Sequence, residues 1–449
     1  MPSIHGKSQN LSNIVKAVVI LIVLSVLLVA GKVLRVRIPL LQKLYLPSSV
    51  VGGILGLVLL NVFPSLLPAD IVGEMRLLPG FLINIIFATL FLGVALPKAK
   101  DFALSVIRQL TLAQIVAWGQ YVVGLGLCGF LLMPCFGVHS AFGNLLELGF
   151  EGGHGTVGGM SQAFLSKGWT DGIALGYTIA TAGMVLGIVI GMTLINWAYR
   201  KKLVKTVRPF SERTLAERRG IPVRESRPSA GLQTVAADSV DSLAWHVAIV
   251  GLAVLIGWGL WHLVPLEGFP LFPLCMLGGV ILQGVAKLVH VDPLVDRDQM
   301  SRISGAALDY LSLAAITTIE LSVVAANWMP LTIMVLGGVV WTVFAVLFFG
   351  PRLFRTAWFE RAIAEFGQAT GVTATGLLLL RTIDPESKTP ASASFAGKQL
   401  LHEPMMNLWV ALAFALVFSL GWFRVFLICL GVLLFWLVAS FVLARRSRV

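Results

Sequence analysis

The stretch Glu151-Gly152-Gly153-His154-Gly155-Thr156-Val157-Gly158-Gly159-Met160-Ser161-Gln162 places five glycines within eight residues. Each glycine costs a helix interior about 1 kcal/mol relative to alanine. In return it adopts positive φ and admits close backbone approach. An uninterrupted helix is therefore not expected over 140–166, the wider segment, which also carries Glu147. A second segment of this kind covers 360–384, centred on Glu365-Phe366-Gly367-Gln368-Ala369-Thr370-Gly371-Val372-Thr373-Ala374-Thr375-Gly376. What two broken segments mean depends on the solvent around them.

That solvent is lipid. Of 449 residues 57% are hydrophobic and 12% charged, with mean hydropathy +0.88. Soluble domains carry about twice that charged fraction, and a charged shell for a core this size is missing. The net charge of +12 collects in short segments between apolar runs, as membrane topology requires. No aromatic-interleaved basic face suggests a nucleic-acid partner. The first apolar run, from about Ile14, is long enough to span and shows no small-residue cleavage site. Cys128, Cys135, Cys275 and Cys429 form no CxxC and are expected to be small buried hydrophobes.

About 20 apolar residues cross the hydrocarbon. Spans are expected near 14–31, 45–66, 79–96, 109–134, 173–198, 243–264, 270–289, 306–325, 330–350, 400–421 and 425–444, eleven crossings of an inner-type membrane. The loops holding Lys32 to Lys43, Lys98 to Arg108, Arg200 to Arg227, Lys287 to Arg302, Arg352 to Arg361 and Arg445 to Arg448 then share one face, with the N-terminus outside and the C-terminus cytoplasmic. Arg76 and Arg424 are the exceptions. Residues 140–166 and 360–384 fit no span and are expected to be re-entrant hairpins, since irregular backbone at bilayer depth survives only where protein or a cavity surrounds it.

The halves echo each other. Leu46-Pro47-Ser48-Ser49-Val50-Val51-Gly52-Gly53 aligns with Phe272-Pro273-Leu274-Cys275-Met276-Leu277-Gly278-Gly279 at an offset of 226, which also sets Arg76 on Arg302. At an offset of 215, Gly152 falls on Gly367. Five spans per copy is an odd number, so the copies enter from opposite faces. The expected fold is all-α and polytopic: a first inverted repeat over 1–199, a cytoplasmic basic linker over 200–242, a second repeat over 243–421, and an additional transmembrane helix with a basic tail over 425–449.

Inverted repeats around a midplane site are the signature of secondary transporters. Unwound tips there would offer N–H groups to an anion and carbonyls to a cation. The expected substrate contacts are Gly152, Gly153, His154, Gly155, Thr156, Ser161, Gln162, Gln368, Gly371 and Thr375. Thr370 and Thr373, with the intramembrane Asp309, are the expected sodium ligands, since hydroxyl and carboxylate oxygens are hard donors. Glu147, Glu151, Glu320 and Glu403, beside His402 and Asn407, are further acidic candidates. No HExxH, P-loop or GxSxG motif occurs, so neither enzymatic activity nor a bound cofactor is expected. A passive channel lined by carbonyls would use similar segments.

With these motifs in hand, the chain resembles the glutamate:sodium symporter family over about 12–415. The resemblance is carried by the Pro47-to-Gly53 opening, Phe87-Ala88-Thr89, the Gly152-to-Thr156 run and Phe366-Gly367. It implies two inverted five-helix repeats with re-entrant hairpins, uptake of glutamate with Na⁺, and a homodimer with a fixed scaffold and a mobile transport domain. The second segment lacks the Pro and later amide of the family pattern, and the eleventh span is extra. A related amino acid or dicarboxylate, and H⁺ instead of Na⁺, are the implied alternatives.

Overall fold

A computed structural model describes residues 4–44, 46–94, 103–204, 214–222, 227, 229–264, 269–384 and 389–445. Among them all regular structure is helical. In chain order the main elements are α1 (Ile4–Arg37), α2 (Ser48–Val62), α3 (Ala69–Thr89), α4 (Ala103–Leu127), α5 (Leu145–Phe150), α6 (Gly153–Gly159), α7 (Ser161–Ser166), α8 (Asp171–Arg200), α9 (Ser242–Trp261), α10 (Phe272–Leu288), α11 (Arg297–Thr317), α12 (Leu321–Ala326), α13 (Trp328–Leu353), α14 (Trp358–Ile383), α15 (Ala391–Leu420) and α16 (Trp422–Arg445). Helix α4 runs on through a π-helical turn, Cys128–Leu132, to Phe136. Lys98, Lys100, Lys205, Arg208, Arg213, Arg224, Arg446 and Arg448 of the basic loops lie outside the described residues.

Among the described residues nine helices are long and apolar enough to cross a bilayer, against eleven expected spans. Helices α2, with 15 residues, and α10, with 17, are shorter. The expected span 306–325 is broken: α11 starts at Arg297, ends at Thr317, and gives way to α12 after Glu320. Helix α3 begins ten residues before the expected 79, because Pro79 is accommodated inside it. Helix α15 begins at Ala391 behind Pro390, nine residues before the expected 400.

Helices α1, α2, α3, α9, α10 and α11 pack mainly on one another. Two apolar clusters seal them: Leu24, Leu27, Met75 and Leu313 in one, Ala88, Val250, Ala253 and Met300 in the other. The remaining elements, α4 to α8 and α13 to α16, surround the main core of Tyr121, Phe150, Tyr177 and Phe366.

The contacts of the first group recur along the sequence. A Cβ on Gly52 would collide with the Leu27 carbonyl of α1, and one on Gly278 with the Ala253 carbonyl of α9. Gly278 stands 226 residues after Gly52, and Ala253 stands 226 after Leu27. Gly53 meets Ile316 of α11, while Gly279 meets the Ala88 carbonyl of α3. Close approach at these glycines is what lets two short helices wedge between longer ones.

Helix α6 forms the seam between the groups. Gly155 faces Ile83, Gly158 faces Pro79, and Gly159 faces Phe272. Any side chain there would interlock α6 with α3 and α10.

Candidate functional site

Helix α8 serves as a ruler for both broken segments. Gly149 of α5 lies against Ile179 and Ala180, and Phe150 against Gly183. The backbone then turns at Gly153, φ +67°. On the far side of the turn His154 Nε2 lies 2.9 Å from Thr181 Oγ1, Val157 faces Gly176, and Gly158 faces Tyr177. The chain thus runs down α8 as far as Gly183 and returns.

The second segment does the same from the other end. Within α14, Gly371 (φ −152°, ψ 39°) and Val372 (φ 60°, ψ 173°) leave the helical region. A Cβ on Gly367 would stand 2.7 Å from the Gly376 Cα, nine residues on. A straight helix would separate those residues by about 13 Å, so α14 is two half-helices folded against each other. The turn comes four residues after Gly367, the residue that aligns with Gly152. Thr370 packs on Gly183 and Gly187, and Leu379 on Gly191. The tips meet near the middle of α8, where a Cβ on Gly153 would collide with Val372 Cγ1.

The break frees the Ala369 carbonyl, and α4 supplies its partner as well as a donor to Glu365. Gln120 Nε2 donates to Ala369 O at 2.6 Å and to Thr342 Oγ1 at 3.0 Å. Gln109 Nε2 donates to Arg361 O and, at 2.6 Å, to Glu365 Oε1.

Around the tips runs a buried polar network whose direction is fixed by groups that can only donate. Lys398 Nζ donates to Glu365 Oε2 at 2.8 Å and to Gln368 Oε1 at 2.9 Å. Its side chain is 0% exposed and that of Glu365 2%. Gln368 must therefore present its amide nitrogen to Glu151 Oε1, 3.1 Å away, and to Gln399 Oε1. Gln399 Nε2 then donates to Thr373 Oγ1 at 2.8 Å and to Glu403 Oε1 at 3.2 Å. The Thr373 hydroxyl donates to Glu403 Oε1 at 3.1 Å, and Asn407 Nδ2 donates to Glu403 Oε2.

A second chain converges on Glu151. The Trp118 indole donates to Gln114 Oε1 at 2.7 Å, which turns Gln114 Nε2 toward His402 Nδ1 at 2.9 Å. His402 Nδ1 accepts, so its Nε2–H points at the Glu151 carboxylate, with which it is paired. The same logic applies to His154. Thr181 Oγ1 donates to Tyr177 O at 2.8 Å, so His154 Nε2 carries the hydrogen between them.

Two buried carboxylate oxygens in this region, Glu147 Oε2 and Glu151 Oε2, have no protein partner. Polar atoms buried without partners are rare in proteins. Glu147, Glu151, Glu365 and Glu403 outnumber Lys398 here, an excess of acidic groups that a cation or an amine would offset.

The structure brings Gly152, Gly153, His154, Gly155, Thr156, Gln368, Gly371, Thr373 and Thr375 into or beside the tips. Thr370 and Thr156 turn their hydroxyls back onto their own segments, to Phe366 O and Gly152 O. Ser161 and Gln162 lie elsewhere, lining a separate cavity of about 430 Å³ with Trp258 and Trp261. Asp309 is exposed on α11, where its carboxylate accepts from Ser49 Oγ at 2.7 Å. Sequence reasoning missed Lys398 and Gln399, along with Gln109, Gln114 and Gln120. The available signal was three amides inside the apolar run of α4.

Compared with protein families, residues 13–357 match the family described as sodium/glutamate symporter. The match stops one residue before α14, so Thr373, Lys398, His402 and Glu403 lie beyond it. Comparison with curated proteins and with solved structures returned no match.

Proposed function

Because the chain belongs to the sodium/glutamate symporter family, we propose that this transporter couples Na⁺ to uptake of glutamate, or of a related dicarboxylate or amino acid, by alternating access. The observation that carries the reading is the meeting of Gly153 and Val372 near the middle of α8, ringed by Glu151, Thr373, His402 and Glu403. Read in a bilayer, each tip is a re-entrant hairpin that enters from its own face and stops part-way. Secondary transporters place solute and ion at such breaks.

In this reading Gly152, Gly153, His154, Thr156, Gln368, Gly371 and Thr375 face the substrate, while Gly155 packs on Ile83 in the seam. Thr373 and Glu403, with the free oxygens of Glu147 and Glu151, face the cation, while Thr370 offers at most a lone pair. Asp309, Ser161 and Gln162 drop out of the site because they lie away from the tips. The free oxygen on buried Glu147 also favours a variant in which H⁺ is the coupling ion, since intramembrane carboxyls serve proton relays as well.

The recurrence of the Gly52–Leu27 contact at Gly278–Ala253 supports two inverted repeats. The glycine seam along α6 supports motion of the core group, elevator-like, against a fixed scaffold of α1–α3 and α9–α11. The scaffold would form the homodimer contact. The basic loops support an inner-membrane orientation with the N-terminus outside and the C-terminus cytoplasmic.

Uptake of labelled glutamate and other dicarboxylates into proteoliposomes tests this. An inward Na⁺ gradient should drive accumulation above the external concentration. Uptake that only equilibrates would indicate a passive facilitator instead, and uptake indifferent to both Na⁺ and H⁺ gradients would end the symport reading.

A further inference from the structure

Arg76 breaks the charge rule of this chain, since it stands with the loops that are otherwise poor in basic residues. It lies within α3, on the wall of a cavity of about 250 Å³ built from both packing groups. Gly73, Arg76 and Leu77 line it from α3, Glu320 from the start of α12, and Ile173 and Tyr177 from α8.

Three features point to a ligand. Tyr177, one of the residues that line the cavity, is 1% exposed, and its buried hydroxyl has no partner. Arg76 Nε is likewise buried and unpartnered. Arg76 Nη1 is ion-paired to Glu320, and that pair is part-exposed, with side chains 32% and 42% accessible. An arginine offers five donors in a planar fork. Glu320 takes only one edge, leaving the Nε edge for a second acceptor. An exposed ion pair is held weakly, so its carboxylate exchanges readily.

We propose that this cavity is a carboxylate-binding vestibule, in which Arg76 and the Tyr177 hydroxyl receive an incoming organic anion and Glu320 is a tethered carboxylate that the ligand displaces. The proposal rests on the symport reading for the identity of the anion. Its position suits a waiting site. Tyr177 stacks on His154, ring centroids 6.1 Å apart and planes 27° apart. From Tyr177 to Gly183, beside the tips, is about 9 Å along α8. An anion leaving the vestibule would meet His154 next.

The test is calorimetric binding of L-glutamate and succinate, with the carboxylate-free diamide glutaramide as control, to full-length protein in detergent. Glu320→Gln removes the tethered competitor, so it should tighten binding of both acids by about tenfold. Misfolding cannot produce that gain. Arg76→Gln should weaken both acids by about tenfold or more, and Tyr177→Phe by about fivefold, the worth of one hydrogen bond. Glutaramide binding should not respond. The proposal is overturned if Glu320→Gln leaves acid affinity unchanged or lowers it, or if Arg76→Gln binds acids as the parent does. Acid binding that follows these variants without any uptake would remove the symport reading and keep the vestibule. Gradient-driven uptake with variant-insensitive binding would do the opposite.

Discussion

Gly153 and Val372 touch across the two chain reversals, and each adopts positive φ, +67° and +60°. Val372 pairs its φ with ψ 173°, a region that only glycine visits freely. A β-branched residue held there stores strain of about 1–3 kcal/mol, which the packing around α8 must offset.

Gly153→Ala should therefore fail twice, by disfavoured φ and by collision with Val372. Uptake should fall at least tenfold, with thermal unfolding shifted down by the equivalent of about 1–3 kcal/mol. Val372→Gly alone should preserve stability, and Gly153→Ala/Val372→Gly should recover part of the lost uptake. No recovery in the double variant would mean that the tips do not constrain each other.

Lys398→Met leaves Glu365 buried without its ammonium partner. Losing one member of a buried pair costs about 3–5 kcal/mol, whereas Lys398→Met/Glu365→Gln should cost less than either change alone. Thermal unfolding of the three variants in detergent reads this directly.

Glu151→Gln keeps the shape of the tip and removes the charge that His402 and Gln368 address. The Na⁺ concentration for half-maximal uptake should rise about tenfold, a coupling loss of about 1.4 kcal/mol. Asp309→Asn and Gln162→Ala, away from the tips, should leave it unchanged. A response to Asp309→Asn equal to that of Glu151→Gln would return the cation site to α11.

The glycines of the recurring contact make a matched set. Gly52→Ala and Gly278→Ala insert a methyl into a neighbouring carbonyl and should each destabilise by about 1–3 kcal/mol. Gly251→Ala meets open space in the same helix that Gly278 packs on. It should be neutral or stabilising by up to about 1 kcal/mol, the helix preference of alanine. Unfolding midpoints compare all three.

Much of this was legible in the sequence where composition forces a backbone outcome. No uninterrupted helix runs over 140–166, as the glycines imply, although Gly153–Gly159 itself forms a short helix beyond the turn at Gly153; the basic loops marked out helices wherever the apolar run was long. What hid was set by tertiary packing. Lys398 escaped because a hydropathy reading starts α15 near residue 400, whereas the helix starts at Ala391 and buries the ammonium against Glu365. The amides of α4 look like minor blemishes in an apolar run until α14 breaks and the Ala369 carbonyl needs Gln120, while Gln109 and Gln114 hold Glu365 and His402. The position of the turn in the second segment, Gly371–Val372, was not legible either, because it holds a valine in a conformation its own propensity opposes.

Coupling requires that solute and cation be held together where Gly153 meets Val372. Val372→Cys in a Cys135→Ser background, probed in membranes with a small thiol reagent, measures this. Cys135 is the one exposed native thiol among the described residues. Glutamate or the transported acid should slow labelling of the introduced thiol at least tenfold when Na⁺ is present and leave it unchanged when Na⁺ is absent. Labelling that ignores the acid, or that the acid slows equally without Na⁺, would contradict the account.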